Sequence, residues 1–216
     1  MIALPQSTEY GKRIPKQKFY ENLTIIPDLK RCFVEQIKTI IWRNKIAAAT
    51  ANIEQGKTVT ELEVFEIQLA GQELNPGVMQ LIDKQIPYHI LFILTHEGKA
   101  QVWIGYKEAA QTGNNAFKVT AYYHTEWMDV ERLTLRMEGY STDAVYESFI
   151  RQIGGEQIAD QDKPIAEAVA LSERRKKLQR EIAALQKKVD NEKQFNRRIE
   201  LNARLLELKS CLGKGG

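Results

Sequence analysis

Residues 61–94 of this chain read ELEVFEIQLAGQELNPGVMQLIDKQIPYHILFIL, and this stretch decides the fold. Its first nine residues, 61–69, predict a strand. Asn75-Pro76 then opens a short helix that a later proline ends. The apolar run 88–94 predicts a second, buried strand. A strand, a helix and a strand in this order predict a parallel βαβ unit.

Further strands and helices are predicted on both sides of this unit. The Ile- and Trp-rich segment 37–47 predicts a strand before it, and QVWIGY after the Glu97-Gly98 turn predicts a hairpin over 88–106. The alternating run AFKVTAYY predicts another strand. Helices are predicted over 13–23, after Asp28 as the N-cap of LKRCFVEQ, and after Ser141-Thr142 up to Gly154-Gly155.

These elements predict an α+β or α/β fold, with a mixed β-sheet and flanking helices. The globular domain is predicted to cover residues 1–155. A polar segment, 156–163, is typical of a linker, and residues 164–212 form a predicted amphipathic helical tail.

The predicted tail carries an apolar stripe that a polar stretch interrupts. From Leu171 onwards the tail fits a seven-residue repeat. Apolar residues occupy the two contact positions of this repeat only in the first half of the tail, as a coiled coil would require. The break near Asp190 leaves two possibilities, a continuous coiled coil or a helical hairpin that turns near Asp190-Asn191, and we favour two packed segments. Such a tail predicts contact with a partner or a second copy. The predicted partner-binding residues are Leu178, Ile182, Leu185, Val189, Ile199 and Leu206.

Composition restricts the class of protein. Hydrophobic residues make up 43% and charged residues 27% of 216, which is typical of a globular protein and not of a disordered chain. No apolar run approaches the roughly 20 residues that span a bilayer. The first residues lack the basic-then-apolar order of a signal peptide. With two widely spaced cysteines, Cys32 and Cys211, we expect a reduced cytoplasmic protein with no membrane contact.

Charge is distributed unevenly along the chain. Segment 51–170 carries nine Lys/Arg and eighteen Asp/Glu, whereas segment 171–216 carries thirteen and six. The basic tail predicts contact with nucleic acid or an acidic partner, although a solvated helix would carry the same charges. The candidate nucleic-acid contacts are Arg174, Lys177, Arg197 and Arg198.

One carboxylate, Glu66, is a weak catalytic candidate. It lies among apolar strand residues, and Glu66-Ile67-Gln68 is similar to the acid-x-lysine pair of Mg²⁺-dependent nucleases, with Glu35 on the preceding helix. Position 68, however, is an uncharged glutamine, so the residues favour a protein without catalytic activity. The alternative is that Glu66 forms an ion pair with a basic residue of a neighbouring strand, namely Lys38, Arg43 or Lys45.

Residue patterns for metals and cofactors are lacking. His89 and His96 are seven residues apart, which places them on opposite faces of a strand, and His124 is isolated. There is no HExxH, no zinc-type cysteine pair and no phosphate-binding loop. Cys32 is expected to be a core thiol. We therefore predict no metal and no cofactor.

Three phrases resemble a known bacterial family. FEIQLAG, IDKQIPYHILFIL and NEKQFNRRIELNARLLELK are similar to the family labelled domain of unknown function 4391, over nearly the whole chain. The resemblance implies no chemistry. It implies association with helicases and DNA methyltransferases, whose genes accompany such proteins in restriction-type defence clusters.

Together these observations predict a non-catalytic accessory or interaction protein of a bacterial DNA-processing or restriction-type defence assembly. Its tail would dock a partner, such as a helicase or DNA methyltransferase, or a second copy. The alternatives are a Mg²⁺-dependent nuclease of the restriction-endonuclease type and a nonspecific nucleic-acid-binding module.

Overall fold

A computed structural model describes residues 2–21, 25–109, 117–158 and 162–214. The chain divides into two compact units, Met1–Gly155 and Glu156–Gly216, and each is described by itself. Part of the predicted linker 156–163 lies outside the described residues, because these do not include 159–161.

Within the described residues, the first unit is built on a mixed sheet of seven strands. The strands lie in the order β1-β2-β3-β4-β5-β6, and β7 pairs with β5. Among the strands that the structure describes, β3 and β4 pair in parallel, while the other strand pairs are antiparallel. The prediction of a mixed sheet with flanking helices is confirmed. The strands are β1 Glu9–Ile14, β2 Ile37–Ala47, β3 Glu61–Leu69, β4 His89–His96, β5 Lys99–Ala109, β6 Phe117–His124 and β7 Met128–Asp129.

In the described part of the first unit, four α-helices accompany the sheet, and one of them connects the parallel strands. Asn75 caps this helix, because its Oδ1 accepts a hydrogen bond from the amide of Gly77 at 2.9 Å. Pro76 takes the first position, where its missing N–H costs nothing. The predicted βαβ unit is therefore confirmed. The helices are α1 Pro27–Glu35, α2 Ala48–Ala51, α3 Pro76–Gln85 and α4 Thr142–Gly154.

The main core lies between the sheet and the helices α1 and α3. Alternate side chains of β3 and β4 point into it, which is why both strands contain so many apolar residues. Phe33 of α1 and Met79 of α3 close the core from the helix side. The strand residues in this core are Phe65, Ile67, Leu69, Ile90, Phe92 and Leu94.

The predicted helix over 13–23 is wrong. Residues Glu9–Ile14 form β1, and Lys16–Phe19 form a single 3-10 turn, while residues 22–24 lie outside the described parts. β1 is an exposed edge strand, and its strand conformation comes from pairing with β2, in which Ile14 lies opposite Ile40. Such pairing leaves no local pattern in the sequence.

The predicted N-cap of α1 is also wrong. The helix begins at Pro27, and Ile26 occupies the capping position without a side-chain hydrogen bond. Asp28 lies in the first turn, where its carboxylate faces the positive end of the helix dipole. The aspartate therefore acts within the helix rather than before it.

The second unit contains α5 (Ile165–Asn191) and α6 (Phe195–Lys214), which form a hairpin-like pair. Of the two possibilities, the favoured pair of packed segments is confirmed. The side chain of Asn191 donates to the carbonyl of Lys187 at 2.8 Å as α5 ends, and Glu192 accepts from the amide of Gln194 at 2.9 Å in the turn. Among the helices that the structure describes, none is long and apolar enough to cross a membrane.

Candidate functional site

Glu66 and Gln68 are two residues apart on β3, and Glu66 has a structural partner. Its carboxylate is 3.6 Å from the guanidinium of Arg43 on β2, and both side chains are about one-third exposed. Gln68 Oε1 accepts a hydrogen bond from the hydroxyl of Thr39 at 3.2 Å. The ion pair that was the alternative to a catalytic role is therefore present.

Glu35, the third residue of the predicted nuclease set, ends helix α1. Its carboxylate is exposed and lies 3.8 Å from Arg31, one turn earlier on the same helix. Within the described ranges there is no group of three or more His, Cys, Asp and Glu side chains that could hold a metal ion. Glu35 and Glu66 therefore each lie beside an arginine of their own.

A buried carboxylate that sequence reasoning did not single out lies near the start of β3. Glu63 is fully buried, and its Oε2 accepts a hydrogen bond from the indole of Trp42 at 2.7 Å. Glu61, on the same face, pairs with Lys45 of β2 at 2.9 Å. Burial, followed by the neighbouring Glu61, raises the pKa of Glu63 to about 7. This carboxyl group therefore changes charge near neutral pH.

A second unpredicted cluster is a buried ion pair between α3 and β5. Lys107 Nζ lies 2.9 Å from Asp83 Oδ1, and the two side chains are 2% and 1% exposed. The hydroxyl of Tyr122 donates to the other oxygen of Asp83 at 2.6 Å. Burial raises the pKa of Asp83, and Lys107 and Tyr122 counteract this by stabilising the carboxylate. Through these bonds Asp83 connects α3 to β5 and β6.

The histidines occupy three separate environments. His89 is buried at the start of β4, with the rings of Tyr146 and Phe117 at 4.4 and 4.8 Å. Burial, and then the charge of Lys107, lower the pKa of His89 to about 4, so its ring is neutral at pH 7. His96 is half-buried at the far end of the same strand, and His124 stacks on Trp103 at 4.2 Å.

Both cysteines are free thiols. Cys32 is half-buried against the main core, where the amide of Asn75 approaches its Sγ at 3.7 Å. Cys211 is exposed on α6. The sequence predicted a core thiol. Cys32 instead lies at the margin of the core.

The carboxylate of Asp143, at the start of α4, holds the loop before β3. The backbone amides of Lys57 and Val59 donate to it at 2.8 and 2.7 Å, and the amide between them does so at 3.1 Å. The hydroxyl of Thr142 adds a bond to the carbonyl of Val59. Asp143 thus satisfies several loop donors at the positive end of a helix.

The predicted partner-binding residues divide into two groups. On α5, Leu178, Ile182 and Leu185 are half-buried and Val189 is buried. On α6, Ile199 and Leu206 are 53% and 66% exposed, and Phe195, which is not among the predicted partner-binding residues, is 67% exposed. The α5 residues are packed within the structure, whereas those of α6 lie open.

The open residues of α6 form one face of the helix. At about 100° per residue, Phe195, Ile199 and Leu206 fall within about 40° of one another. We call these three residues the α6 stripe. A second set of leucines, buried or half-buried, is centred about 130° away around the helix by the same geometry. These are Leu201, Leu205, Leu208 and Leu212.

The candidate nucleic-acid contacts of the tail are all exposed. Arg174 and Lys177 are three residues apart on α5 and share one side of the helix. Arg197 lies 3.5 Å from Glu192 in the turn, so part of its charge is neutralised, and Arg198 follows it on α6. The tail therefore offers scattered basic side chains.

Comparisons with known proteins give one positive result. No curated protein matches the chain, and no solved structure matches it. One family model matches residues 2–212, which include both compact units and all three phrases on which the resemblance rests. The chain therefore belongs to the family described as Domain of unknown function (DUF4391).

Proposed function

We propose that this chain is a non-catalytic interaction protein of a bacterial DNA-processing or restriction-type defence assembly, acting in the cytoplasm. The observation that carries the proposal is the exposed α6 stripe on a helix whose other apolar face is already packed. The choice of a helicase or DNA methyltransferase as partner comes from the family resemblance.

Exposure of the α6 stripe has an energetic cost that a partner would remove. Fully burying a Leu, Ile or Phe side chain is worth about 1.5–3 kcal/mol, and the α6 stripe has three of them. Single exposed hydrophobic residues need no explanation, but three on one helix face are typical of a helix that lays its apolar side against another helix.

The charges beside the α6 stripe indicate the chemistry of the partner. Arg198 and Lys209 flank one side of it, whereas Ala203 and Ser210 flank the other, at about 100° per residue. In an antiparallel pair of α6 helices from two copies, the same flanks would meet, so basic residues would face basic residues. We therefore favour a partner helix with an apolar stripe and carboxylates along one flank over a second copy.

The test compares the full chain with a variant of the α6 stripe, Ile199→Asp with Leu206→Asp, as bait in the native host. The matched control is Arg204→Asp, which places the same residue on the opposite side of α6. We expect wild type and control to copurify a helicase or DNA methyltransferase, and the stripe variant to lose it. Circular dichroism checks that all three chains keep the same helix content.

Two outcomes contradict the proposal. If the helicase or methyltransferase stays bound to the stripe variant, or is never recovered with any of the chains, docking through α6 is wrong. If sedimentation instead shows that wild type is a dimer and the stripe variant a monomer, the α6 stripe joins two copies and the acidic partner helix is rejected.

A further inference from the structure

We propose that the end of the sheet where β1 ends and β2 begins binds the phosphate backbone of a nucleic-acid strand. The contact surface is an open groove that we call the basic groove. It belongs to the first compact unit and is independent of the α6 stripe. It is lined by Arg13, Ile14, Pro15, Lys16, Gln17, Lys38, Thr39 and Ile40.

The basic groove has a volume of about 310 Å³ and concentrates positive charge. Three of its eight lining residues, Arg13, Lys16 and Lys38, are cationic, and none of the eight is acidic. The segment 12–18 supplies two of these cations, and β2 supplies the third. Clustered Lys and Arg side chains on one surface are the electrostatic footprint of nucleic-acid binding.

The three cations do not have the same role. Lys16 Nζ donates to the carbonyls of Val34 and Ile37 at 2.9 and 2.7 Å, so it ties down the end of α1. Arg13 and Lys38 are exposed, and neither forms an ion pair within the ranges that the structure describes. These two residues therefore have charges left to meet an external anion.

The surface continues past Lys38 along the end of the sheet. Lys38 also lines a second groove of about 250 Å³, together with Gln68, Thr95 and Lys99. Gln68 Oε1 accepts a hydrogen bond from the hydroxyl of Thr39. The amide hydrogens of Gln68 therefore remain as donors for a ligand. One acid, Glu97, borders this second groove, with its carboxylate 3.7 Å from His96.

The shape of this surface favours a strand of nucleic acid over a small phosphorylated ligand. Its residues belong to the five adjacent strands β1 to β5, so they extend over four strand spacings, or about 19 Å at roughly 4.8 Å each. Isolated cations separated by neutral hydroxyl and amide donors match the mixture of contacts that proteins make to phosphates and sugars. The guanidinium of Arg13 also suits the two-pronged binding of a phosphate.

The position in the fold supports the same conclusion. β3 and β4 are the parallel strands, and both end beside Lys38 and Gln68. Ligands of open α/β sheets bind outside the carboxyl ends of parallel strands. The basic groove and its continuation lie along this end.

The test measures binding of a short fluorescein-labelled oligonucleotide, single-stranded and duplex, to the full chain by anisotropy over a range of salt concentrations. The variant is Arg13→Gln with Lys38→Gln. The matched control is Lys84→Gln with Lys118→Gln, which removes two exposed lysines that do not line either groove. Because the replaced groups are exposed, we expect all the chains to fold alike.

Each phosphate contact contributes about −0.7 to −0.9 to the slope of log affinity against log salt, so the groove variant should flatten this slope by about 1.4 to 1.8. Between about 50 and 200 mM salt, wild type should lose about tenfold more affinity than the groove variant does. The control should keep the slope of wild type.

Three results would overturn the proposal. The first is that wild type binds neither oligonucleotide at low salt. The second is that Arg174→Gln with Lys177→Gln on α5 abolishes binding while the groove variant retains it, which would assign the contact to the tail. The third is that polyglutamate competes as well as the unlabelled oligonucleotide, which would make the basic groove a site for acidic peptides.

Discussion

Replacing Glu63 by glutamine should change how the stability of this protein depends on pH. Glu63 is fully buried beside Trp42 and Glu61, and its pKa rises from 4.5 to about 7. Glutamine has nearly the shape of the protonated acid. It can still accept the hydrogen bond that Trp42 donates at 2.7 Å, but it never ionises.

The magnitude follows from the linkage between protonation and folding. A carboxyl group whose pKa is raised in the folded state holds its proton more tightly there. Its stabilising contribution is therefore complete below about pH 4.5 and is lost as the pH rises through about 7. At about 1.36 kcal/mol per pKa unit, the loss amounts to at most about 3 kcal/mol. The variant Glu63→Gln lacks this loss.

His89 acts in the opposite direction over nearly the same pH range. Burial lowers its pKa from 6.5 to about 4, so its contribution is complete above about pH 6.5 and is lost as the pH falls towards 4. The two groups partly cancel in the wild-type profile. Only the difference between variant and wild type isolates Glu63, because His89 contributes equally to both.

The assay is urea unfolding of wild type and Glu63→Gln, followed by tryptophan fluorescence, at several values between about pH 5 and pH 8. We expect the free energy of unfolding of the variant to rise relative to wild type by up to about 3 kcal/mol across this range. Glu73→Gln, which replaces an exposed carboxylate, is the control and should run parallel to wild type. A difference that stays flat or falls with pH would refute the reasoning.

Three further predictions concern stability at neutral pH, measured by urea unfolding. Lys107→Met leaves Asp83 buried without its ion-pair partner and should cost about 3–5 kcal/mol, whereas also replacing Asp83 by Leu should recover most of that loss. Asp143→Ala removes the acceptor for three loop amides and should cost about 1–3 kcal/mol, with faster hydrogen exchange at those amides. Leu205→Ala should cost about 2–5 kcal/mol because that side chain is 3% exposed, while Leu206→Ala, at 66% exposure, should change stability by about 0.5 kcal/mol or less.

The βαβ unit could be predicted because its signals are local. Asn75 and Pro76 start α3 through a cap and a fixed backbone angle, and Pro87 prevents its continuation. The strand after it, β4, is buried on both faces from His89 to Leu94, so its apolar residues form a nearly continuous run. The helical hairpin was predictable for a related reason, because the polar break at 190–194 interrupts an otherwise apolar stripe.

The edge strand and the buried charges could not be predicted in the same way, because both depend on strand pairing. All but one residue of β1 are exposed, so no alternation of apolar residues distinguishes it from a helix or loop. Glu63 accepts a hydrogen bond from Trp42 only because the register of β2 and β3 brings the two side chains together. Asp83 and Lys107 are 24 residues apart in the sequence, and no spacing rule connects them. The apolar neighbours of Glu66 made it a catalytic candidate. The register of β2 and β3 also places Arg43 beside it, where the two form an ion pair.

The proposed function depends on which charged and apolar side chains have partners within the chain and which do not. The carboxylates that sequence reasoning considered catalytic, Glu66 and Glu35, each have a basic partner, which argues against a free metal-binding set. Within the described ranges, Arg13 and Lys38 of the basic groove form no ion pair, and the three apolar residues of the α6 stripe are exposed. They belong to different compact units and share no residue. If both proposals are correct, the groove variant should lose oligonucleotide binding and keep the protein partner, and the stripe variant should do the reverse. Loss of both activities in either variant would mean that a single surface serves both, and the division of roles proposed for the two units would then be wrong.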